Sequence, residues 1–512
     1  MSARAEALTQ VRGARPQDAG AAFAAAVAAV KHGLEDEALP LLRDATRLHP
    51  EDSRLWQMLG LAQRGIGDLA EAVECLGRAA ALAPRDPLIV HGLARARMEA
   101  GLSAADYFRA ALRLAPLDAP TILGLAAAQF AEGDVSGAIA DLDRQLRQHP
   151  GWFEGHQTVA RLRWQAGDRE HFTRSLEEAL GRAPGDGQLW RELILLLLKA
   201  DLFDEALAAI GHARAAVGKS RTLDQLEAVA HSERGDVAGA ERLFAALAPV
   251  EDGAMLVPLV RHLLRTDRPA DAAALALERI RRQGREDLWP YVATAWRLTG
   301  DPRWAWLEGD QRFIGVYDIA EAAGPLPALA ERLRGLHRAI QQPLDQSLRG
   351  GTQTDGPLFS RIDPEIRRLR AAILEAVERH VAQLPPYDPA HPLLRQARQP
   401  IRFAGSWSVR LTGEGRHINH VHPAGWLSSA FYVALPDAIG GADRAGWLTL
   451  GEATELGIGL PPIAEIEPKP GRLVLFPSTM WHGTRPFSDG ERLTVAFDIG
   501  RVSNGENHVP AS

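Results

Sequence analysis

The sequence predicts a multidomain α + β protein in which an N-terminal all-α solenoid precedes an antiparallel β domain. Three observations support this fold class. Prolines recur every 32 or 34 residues between positions 50 and 184. Apolar residues keep helical spacing to about residue 340, whereas from residue 400 onward they alternate with polar residues. The chain has 512 residues, which is long enough for two or three domains.

Composition narrows the class of function. The formal net charge of −7 is spread over many residues, which argues against a nucleic-acid coat or a basic membrane patch. The single cysteine, Cys75, excludes a disulfide framework and a thiolate metal cluster within one chain. The longest aliphatic run, 193–198, is far shorter than the roughly 20 residues of a membrane span. We therefore expect a cytoplasmic protein with neither a nucleic-acid partner nor a membrane partner.

One repeating pattern fills residues 17–249. In the unit that begins at Ser53, residues 56–60 form one helix face, Gly67 starts a turn, and a second helix face ends at Pro84. Small residues let the two antiparallel helices approach closely, and proline ends the second helix because it has no amide donor. Since one hairpin cannot cover its apolar face alone, we expect the hairpins to stack as a solenoid. The pattern resembles the tetratricopeptide repeat (TPR), which implies a protein or peptide partner on the concave surface.

Two further regions follow the repeats. Residues 250–340 keep helical spacing without the repeat pattern, and we interpret them as a helical linker or capping region. Residues 341–505 are predicted to form the β domain, with a core at 400–500. Before that core, residues 346–354 predict a polar, flexible loop. The tryptophans of the capping region are expected to pack the solenoid against the β domain: Trp289, Trp296, Trp304 and Trp306.

Short strands separated by turn residues are typical of the β-domain core. Trp407, Val409 and Leu411 alternate with polar residues, as expected for a strand with one buried face. Such a succession of strands indicates an antiparallel sandwich or barrel. Similar runs follow at 427–435, 447–450, 472–476 and 492–499.

Three histidines within this core are candidate metal ligands. His420 and His422 are two residues apart, so in an extended segment their side chains point to the same side. His482 lies 60 residues further on, after a predicted strand. Three imidazoles on neighbouring strands could form one face of a metal site and leave the opposite positions open. Imidazole suits Fe(II), Zn(II) and Cu(II), so the ligand type alone does not select the metal.

An arginine near the end of the core is a candidate anion-binding group. Arg492, Thr494 and Asp498 share one face of the predicted strand, and the residues between them form the apolar face. An arginine directed into a barrel needs a partner, because burying a lone charge is costly. The planar guanidinium favours a carboxylate in two-point contact, and Thr494 can donate another hydrogen bond. The partner is either the carboxylate of a ligand or a structural acid, Asp498 or Glu414.

Residues 403–500 resemble the double-stranded β-helix (jelly-roll) core of Fe(II)/2-oxoglutarate-dependent oxygenases, in particular the bacterial branch in which TPR repeats precede that core. The His-x-His pair, the Pro-Gly-x-Leu-x-Leu-Phe-Pro-Ser strand, the later histidine and the Arg-x-Thr pair occur in the family's order. The resemblance implies that His420, His422 and His482 bind Fe(II). It also implies that Arg492 and Thr494 hold the distal carboxylate of the co-substrate 2-oxoglutarate.

One departure from the family leaves alternatives open. Most members carry aspartate or glutamate where this chain has His422, so His422 could lie behind the metal and His417 could contribute instead. Asn419 is a further candidate for a contact near the metal. The favoured hypothesis is a dioxygenase that hydroxylates a protein, peptide or other substrate recruited through the repeats. The alternatives are a three-histidine, cupin-type dioxygenase without 2-oxoglutarate, and a TPR scaffold with a degenerate oxygenase domain.

Overall fold

The computed structural model of the chain describes residues 3–501, except for residues 345, 438 and 440–443. Helices occupy the N-terminal part of the described chain and antiparallel strands the C-terminal part, so the predicted α + β class is confirmed. The last residues of the predicted β domain, 502–505, lie outside the described part. Among the described residues, no helix combines the length and the apolar character needed to cross a membrane.

The solenoid consists of successive antiparallel helix hairpins, in which each helix packs against the next. Seven hairpins, from α2/α3 to α14/α15, occupy the described part of the region in which the sequence predicted repeats. Two more helices, α16 and α17, continue the same arrangement. The helices are α1 (Ala3–Gly13), α2 (Ala19–Lys31), α3 (Glu35–Leu48), α4 (Ser53–Gly65), α5 (Leu69–Leu82), α6 (Pro87–Glu99), α7 (Ala105–Leu114), α8 (Ala119–Glu132), α9 (Val135–Gln148), α10 (Phe153–Gln165), α11 (Arg174–Arg182), α12 (Gly187–Lys199), α13 (Phe203–Val217), α14 (Arg221–Arg234), α15 (Val237–Leu247), α16 (Gly253–Arg265) and α17 (Pro269–Gln283).

Local sequence signals explain where these helices begin and end. The Asp52 side chain caps α4 by accepting a hydrogen bond from a first-turn amide, and Asp68 caps α5 in the same way. The helix α5 ends two residues before Pro84, as the repeat pattern predicted. The tryptophans at equivalent repeat positions, Trp56 and Trp190, each donate their indole N–H to the carbonyl of the preceding proline at 2.9 Å. The hairpin geometry therefore follows from signals within each repeat.

After the solenoid, five helices and nine strands form the capping region and the β domain. The helices are α18 (Trp289–Thr299), α19 (Arg303–Glu308), α20 (Ala320–Ala323), α21 (Leu326–Arg334) and α22 (Pro364–Gln383). The strands are β1 (Gly315–Asp318), β2 (Leu348–Gln353), β3 (Phe403–His417), β4 (Gly425–Ala434), β5 (Leu448–Leu450), β6 (Ala464–Ile466), β7 (Arg472–Pro477), β8 (His482–Thr484) and β9 (Glu491–Gly500).

The strands form two antiparallel sheets, as expected for a jelly roll. The main sheet has the order β1-β7-β4-β9-β3-β2, and the smaller sheet has the order β6-β5-β8. The outer face of the main sheet packs against α22, where Ile373 meets Phe431 and Val495 in one buried cluster. Between the sheets, Tyr432 and Phe476 lie in a second buried cluster with residues of β5. The space between the two sheets contains the candidate site.

Two strands lie in segments for which the sequence predicted another structure. The polar segment around Gly350 and Gly351 was predicted as a flexible loop, and this prediction was wrong because residues 348–353 form β2 and pair with β3. The capping region, predicted as helical, also contributes β1, which pairs with β7 at the edge of the main sheet. In neither strand do apolar and polar residues alternate over enough positions to predict a strand from the sequence. The pairing of both strands therefore depends on the neighbouring strand.

The solenoid meets the β domain along one edge, formed by the turns between the two helices of each hairpin. In the third repeat the Ala100 carbonyl accepts a hydrogen bond from the Ile362 amide at 3.1 Å, and in the fifth repeat the Gln165 side-chain amide donates one to Asp355 at 3.2 Å. At the sixth repeat, Asp201 forms an ion pair with Arg349 at 2.6 Å. The β domain is therefore supported by repeats along most of the solenoid.

The predicted tryptophan junction is also present. Trp289 lies 6.4 Å from Trp296 between ring centroids, and both belong to a buried cluster that includes Trp481 of the β domain. Nearby, the Arg297 guanidinium donates hydrogen bonds to the carbonyls of Gly451 and Pro461. Aromatic packing and these hydrogen bonds together hold the capping region against the smaller sheet.

This junction contains a buried acid that should make stability depend on pH. Burial raises the pKa of the Glu308 carboxyl from 4.5 to about 7, although the nearby Arg297 charge opposes the shift. Because the folded protein binds this proton more tightly than the unfolded chain, stability should fall as the pH rises from 4.5 to about 7. We expect Glu308→Gln to raise the free energy of unfolding near pH 8 by at most about 3 kcal/mol, with little effect near pH 4. Denaturant unfolding of both proteins at the two pH values measures this difference, and an equal gain at both would contradict the explanation.

Candidate metal centre

The three predicted histidines lie together at one end of the space between the two sheets. His420 and His422 lie in the connection between β3 and β4, and His482 begins β8. His420 and His482 form an isolated antiparallel bridge, with backbone hydrogen bonds of 2.9 and 3.0 Å in the two directions. The His422 amide donates to the Ser478 carbonyl at 2.9 Å. Backbone pairing therefore brings together residues that are 60 positions apart in the sequence.

The three imidazoles are close enough to share one cation. Each histidine offers one nitrogen such that all three nitrogens lie within 4.8 Å of one another. The ring centroids are 4.0 Å apart for His420 and His482, 4.9 Å for His420 and His422, and 5.1 Å for His422 and His482. Nitrogens at adjacent positions around one cation are about 3.0–3.4 Å apart, so the three side chains must move closer together to bind one.

Hydrogen bonds behind two of the rings fix which nitrogen is available. The Nδ1 atom of His420 lies 2.9 Å from the Ile418 carbonyl, and that of His482 lies 3.1 Å from the Met480 carbonyl. A carbonyl can only accept, so both Nδ1 atoms donate, and each Nε2 atom keeps its lone pair. This is the arrangement in which histidine binds a metal ion.

The third ring, His422, has a carboxylate behind it instead of a carbonyl. Its Nδ1 atom lies 2.7 Å from Oδ2 of Asp498. Here too the available nitrogen is Nε2, and this ring has an anion as its hydrogen-bond acceptor. The sequence placed Asp498 on the same strand face as Arg492 and Thr494 but did not connect it with His422.

Burial keeps His420 and His482 in the neutral form that binds metals. Desolvation is the largest cause that lowers the pKa of His420 and His482 well below 6.5, and neighbouring imidazoles lower both further. A neutral donor set of this kind, with the Nδ1 atoms already engaged, fits Fe(II) or another first-row divalent ion. The residues present therefore fit the metal that the resemblance implies.

Two other polar residues that the sequence singled out have different environments. His417 lies beside the cluster, with its ring centroid 5.8 Å from that of His420, and it is outside the group of three. Its Nδ1 atom lies 3.1 Å from the Ser347 hydroxyl, which also approaches Nε2 of His420 at 3.1 Å. Asn419 is buried and accepts a hydrogen bond from Thr454. Ser347 was not identified from the sequence, because it lies just before a strand that was not predicted.

Arg492 lies between the two sheets, in the pocket that contains the three histidines. Its residue exposure is only 2%, and its guanidinium carbon is 5.2 Å from the centroid of the Tyr432 ring. Burial lowers the pKa of Arg492, and the neighbouring Tyr432 opposes that shift. Thr494, on the same face of β9, lines the same pocket.

No acidic side chain in the described part of the chain forms an ion pair with Arg492. Its Nε atom is buried and has no hydrogen-bond partner of good geometry among the described residues. The structural bridge considered as an alternative is therefore not formed, because Asp498 pairs with His422 instead. A buried guanidinium with an unused donor provides a place for an anionic ligand.

Comparisons with known proteins agree with the motif order. Residues 405–498 match the family model described as "Putative 2OG-Fe(II) oxygenase". Residues 53–86 match the tetratricopeptide repeat model, so the resemblance to a TPR protein with a C-terminal oxygenase domain is confirmed. No curated protein matches the chain. The β domain is called the oxygenase domain from here on.

Solved structures resemble parts of the chain only at a low level. A TPR protein from Parabacteroides merdae is 18% identical, with 48% of this chain and 98% of that chain covered and a TM-score of 0.31. MamA from Desulfovibrio magneticus is 18% identical, with 32% and 93% covered and a TM-score of 0.29. A prolyl-4-hydroxylase from Pseudomonas putida is 18% identical, with 38% and 95% covered and a TM-score of 0.27. We base no conclusion on likenesses at this level.

The pocket that contains the three histidines opens into a cleft between the oxygenase domain and the solenoid. The cleft has a volume of about 1250 Å³, and His420, His422 and Asp498 line it as well as the inner pocket. The same hairpin edge that touches the domain at the earlier repeats forms the opposite wall. The residues of that wall include Leu198, Asp201, Phe203, Glu233, Arg261, Arg265 and Tyr291.

Of four large aromatic residues on or beside the strands, two lie on the oxygenase-domain side of the cleft. Trp407 lies 5.7 Å from His422 between ring centroids, and Trp481 packs edge to face against Tyr291 at 5.8 Å. Trp426 and Phe431 instead belong to the buried cluster on the other face of the main sheet. An exposed cation, Arg416, also lines the cleft. The solenoid therefore shapes the approach to the metal centre.

Proposed function

We propose that this protein is an Fe(II)- and 2-oxoglutarate-dependent dioxygenase that hydroxylates a protein or peptide segment. The observation that supports it is the pairing, in one pocket, of three imidazoles whose Nε2 atoms keep their lone pairs and one buried arginine without an acidic partner among the described residues. A divalent cation and a dicarboxylate together satisfy both groups. The match to the oxygenase family model over the same residues supports the same assignment.

The chain's own residues have separate tasks in this proposal. His420, His422 and His482 would hold Fe(II) through Nε2, and the iron would supply the oxygen activation when it is bound. Arg492 would receive the distal carboxylate of 2-oxoglutarate in two-point contact, and Thr494 would donate a further hydrogen bond to it. The contact anchors the co-substrate on one side of the cation and leaves the side toward the cleft for substrate.

The walls of the pocket would exclude water from the reaction. Apolar side chains surround the polar groups, and Phe476 lies 4.7 Å from His482 between ring centroids. Leu448 and Ala496 line the same pocket. A dry pocket strengthens the electrostatic attraction between the guanidinium and a carboxylate and limits side reactions of an oxidant.

The cleft supports a macromolecular substrate. Its volume of about 1250 Å³ exceeds the range of roughly 300–1000 Å³ that is usual for small-molecule pockets. Its two walls come from the repeats and from the oxygenase domain, so one bound segment would contact both. This gives the repeats a direct part in substrate binding, in addition to any partner on their concave surface. The cytoplasmic location stays a prediction.

A three-histidine dioxygenase without 2-oxoglutarate explains less of the structure. It accounts for the imidazoles, but it leaves Arg492 buried without an anion, which is costly. A non-catalytic scaffold leaves both the histidine tautomers and Arg492 without a purpose. Only the favoured proposal includes a dicarboxylate co-substrate that can pair with Arg492.

Anaerobic titration with Fe(II) and 2-oxoglutarate tests the proposal directly. We expect a weak visible charge-transfer band that requires both components, because the 2-oxo acid must chelate the protein-bound metal. Pyruvate is the matched control, since it has the same 2-oxo acid but no distal carboxylate for Arg492, and it should bind much more weakly. Admission of oxygen should then convert 2-oxoglutarate into succinate. Bound Fe(II) with no band and no succinate would contradict the proposal.

A further inference from the structure

His422 differs from the other two site histidines in what lies behind its ring. His420 and His482 donate from Nδ1 to backbone carbonyls, which are neutral, whereas His422 donates to the carboxylate of Asp498 at 2.7 Å. Hydrogen bonds to a charged acceptor are roughly twice as strong as those between neutral groups. The His422 ring is therefore the most firmly oriented of the three.

The Asp498 carboxylate is itself held in place on its second oxygen. Its Oδ1 atom accepts a hydrogen bond from the Ser428 hydroxyl at 2.6 Å, and the Ser428 oxygen lies 2.9 Å from that of Ser478. Since a hydroxyl has one proton, Ser478 donates to Ser428, and Ser428 donates to Asp498. Ser428 and Asp498 are directly opposite each other in the register of β4 and β9. The carboxylate is thus fixed by the main sheet.

The charge of Asp498 is directed at His422 alone. Its side chain is 15% exposed, and its only ion-pair partner in the described part of the chain is the His422 imidazole. Arg492 is the nearest cationic residue on the same face of β9. It forms no ion pair with Asp498 in the described part of the chain. A buried carboxylate without a lysine or arginine partner is expensive, unless a cation is bound nearby.

We infer that Asp498 is a positioning residue, which fixes His422 as the third metal ligand and supplies from behind its ring the negative charge that an imidazole ligand lacks. This inference rests on the proposed function. The hydrogen bond fixes the ring so that Nε2 faces His420 and His482, and the carboxylate increases the basicity of that nitrogen. His422 then binds the cation as a neutral ligand, and Asp498 places a negative charge behind its ring.

Titration of the metal-free protein with Co(II), under anaerobic conditions, tests this role without turnover. Co(II) is the probe because its visible absorption reports the ligand set as well as the affinity. We expect Asp498→Asn to weaken Co(II) binding by about 10–100-fold and to change the absorption spectrum. The substitution keeps the size of the side chain and removes its charge. Circular dichroism and thermal unfolding of the metal-free proteins check that the fold is retained.

The matched control is Asp318→Asn. Asp318 lies on β1 of the same sheet and pairs with Arg472 at 2.8 Å, away from the histidines. Its variant should bind Co(II) with the affinity and the spectrum of the wild type. A second variant, Ser428→Ala, keeps the Asp498 carboxylate but removes one of its donors, and it should weaken binding severalfold. If Asp498→Asn does not fold, Co(II) binding by Ser428→Ala tests the role of Asp498.

The outcomes separate this inference from the proposed function. If the wild type binds Co(II) and Asp498→Asn binds it equally well with the same spectrum, the inference is wrong while the metal centre stands. If Asp498→Asn is unfolded and Ser428→Ala binds like the wild type, the inference is equally wrong. If the wild type binds no Co(II), the proposed function itself fails.

Discussion

Replacing Arg492 with methionine is expected to weaken 2-oxoglutarate binding by at least about tenfold while Fe(II) binding stays unchanged. Each hydrogen bond from a charged donor contributes about 1.5–3 kcal/mol, and a two-point contact loses both when the guanidinium is removed. The iron affinity should not change, because Arg492 forms no hydrogen bond or ion pair with the three imidazoles or with their Nδ1 partners in the described part of the chain. Titration of the visible band with 2-oxoglutarate, at saturating Fe(II), measures the effect.

The same substitution should stabilise the protein without co-substrate. Arg492 is buried with an unpaired Nε atom, and replacing such a charge with an apolar side chain of similar length is often neutral or stabilising. The matched control is Arg410→Met, which removes a half-buried arginine of β3 that is paired with Glu491 at 2.5 Å. It should leave 2-oxoglutarate binding intact. Equal co-substrate affinity of wild type and Arg492→Met would remove the role assigned to Arg492.

The second large effect is expected from His482→Ala, which should abolish stoichiometric Fe(II) binding. His482 is buried, bridges to His420 through the backbone and presents its Nε2 atom to the cluster. Its loss leaves two imidazoles and an open position, so the affinity should fall by several orders of magnitude. Metal analysis after equilibrium dialysis gives the stoichiometry directly.

The matched control for that experiment is His417→Gln. His417 is an imidazole in the same pocket, but it is outside the group of three whose nitrogens converge. This variant should retain one equivalent of Fe(II). Full metal content in His482→Ala would refute the ligand set, and metal loss in His417→Gln as severe as in His482→Ala would make His417 a ligand.

Much of the fold could be predicted from the sequence because its signals are local. The proline spacing and the caps at Asp52 and Asp68 lie within each repeat, so the hairpins are visible without knowledge of their neighbours. The apolar residues of β3, β4, β7 and β9 likewise reflect burial within each strand, and β4 and β7 are buried on both faces. The strand β2 could not be predicted, because its glycines and polar residues are paired only through contact with β3.

The residues of the candidate site could likewise be predicted from local sequence signals, whereas their contacts could not. His420, His422, His482, Arg492 and Thr494 were found from residue type, spacing and order, and the structure places all five in one pocket. Their roles stay proposals.

The sequence by itself determined the repeats, the longer strands of the β-domain core and the residue types of the candidate site, because each depends on neighbours within one element or one motif. Only the tertiary structure decided that Asp498 contacts His422, since the sheet order brings together residues that are 76 positions apart. It also decided that Arg492 has no acidic partner among the residues that the structure describes and that the solenoid edge forms a wall of the cleft. Such contacts follow from the packing of complete elements, and no local pattern of residues encodes them.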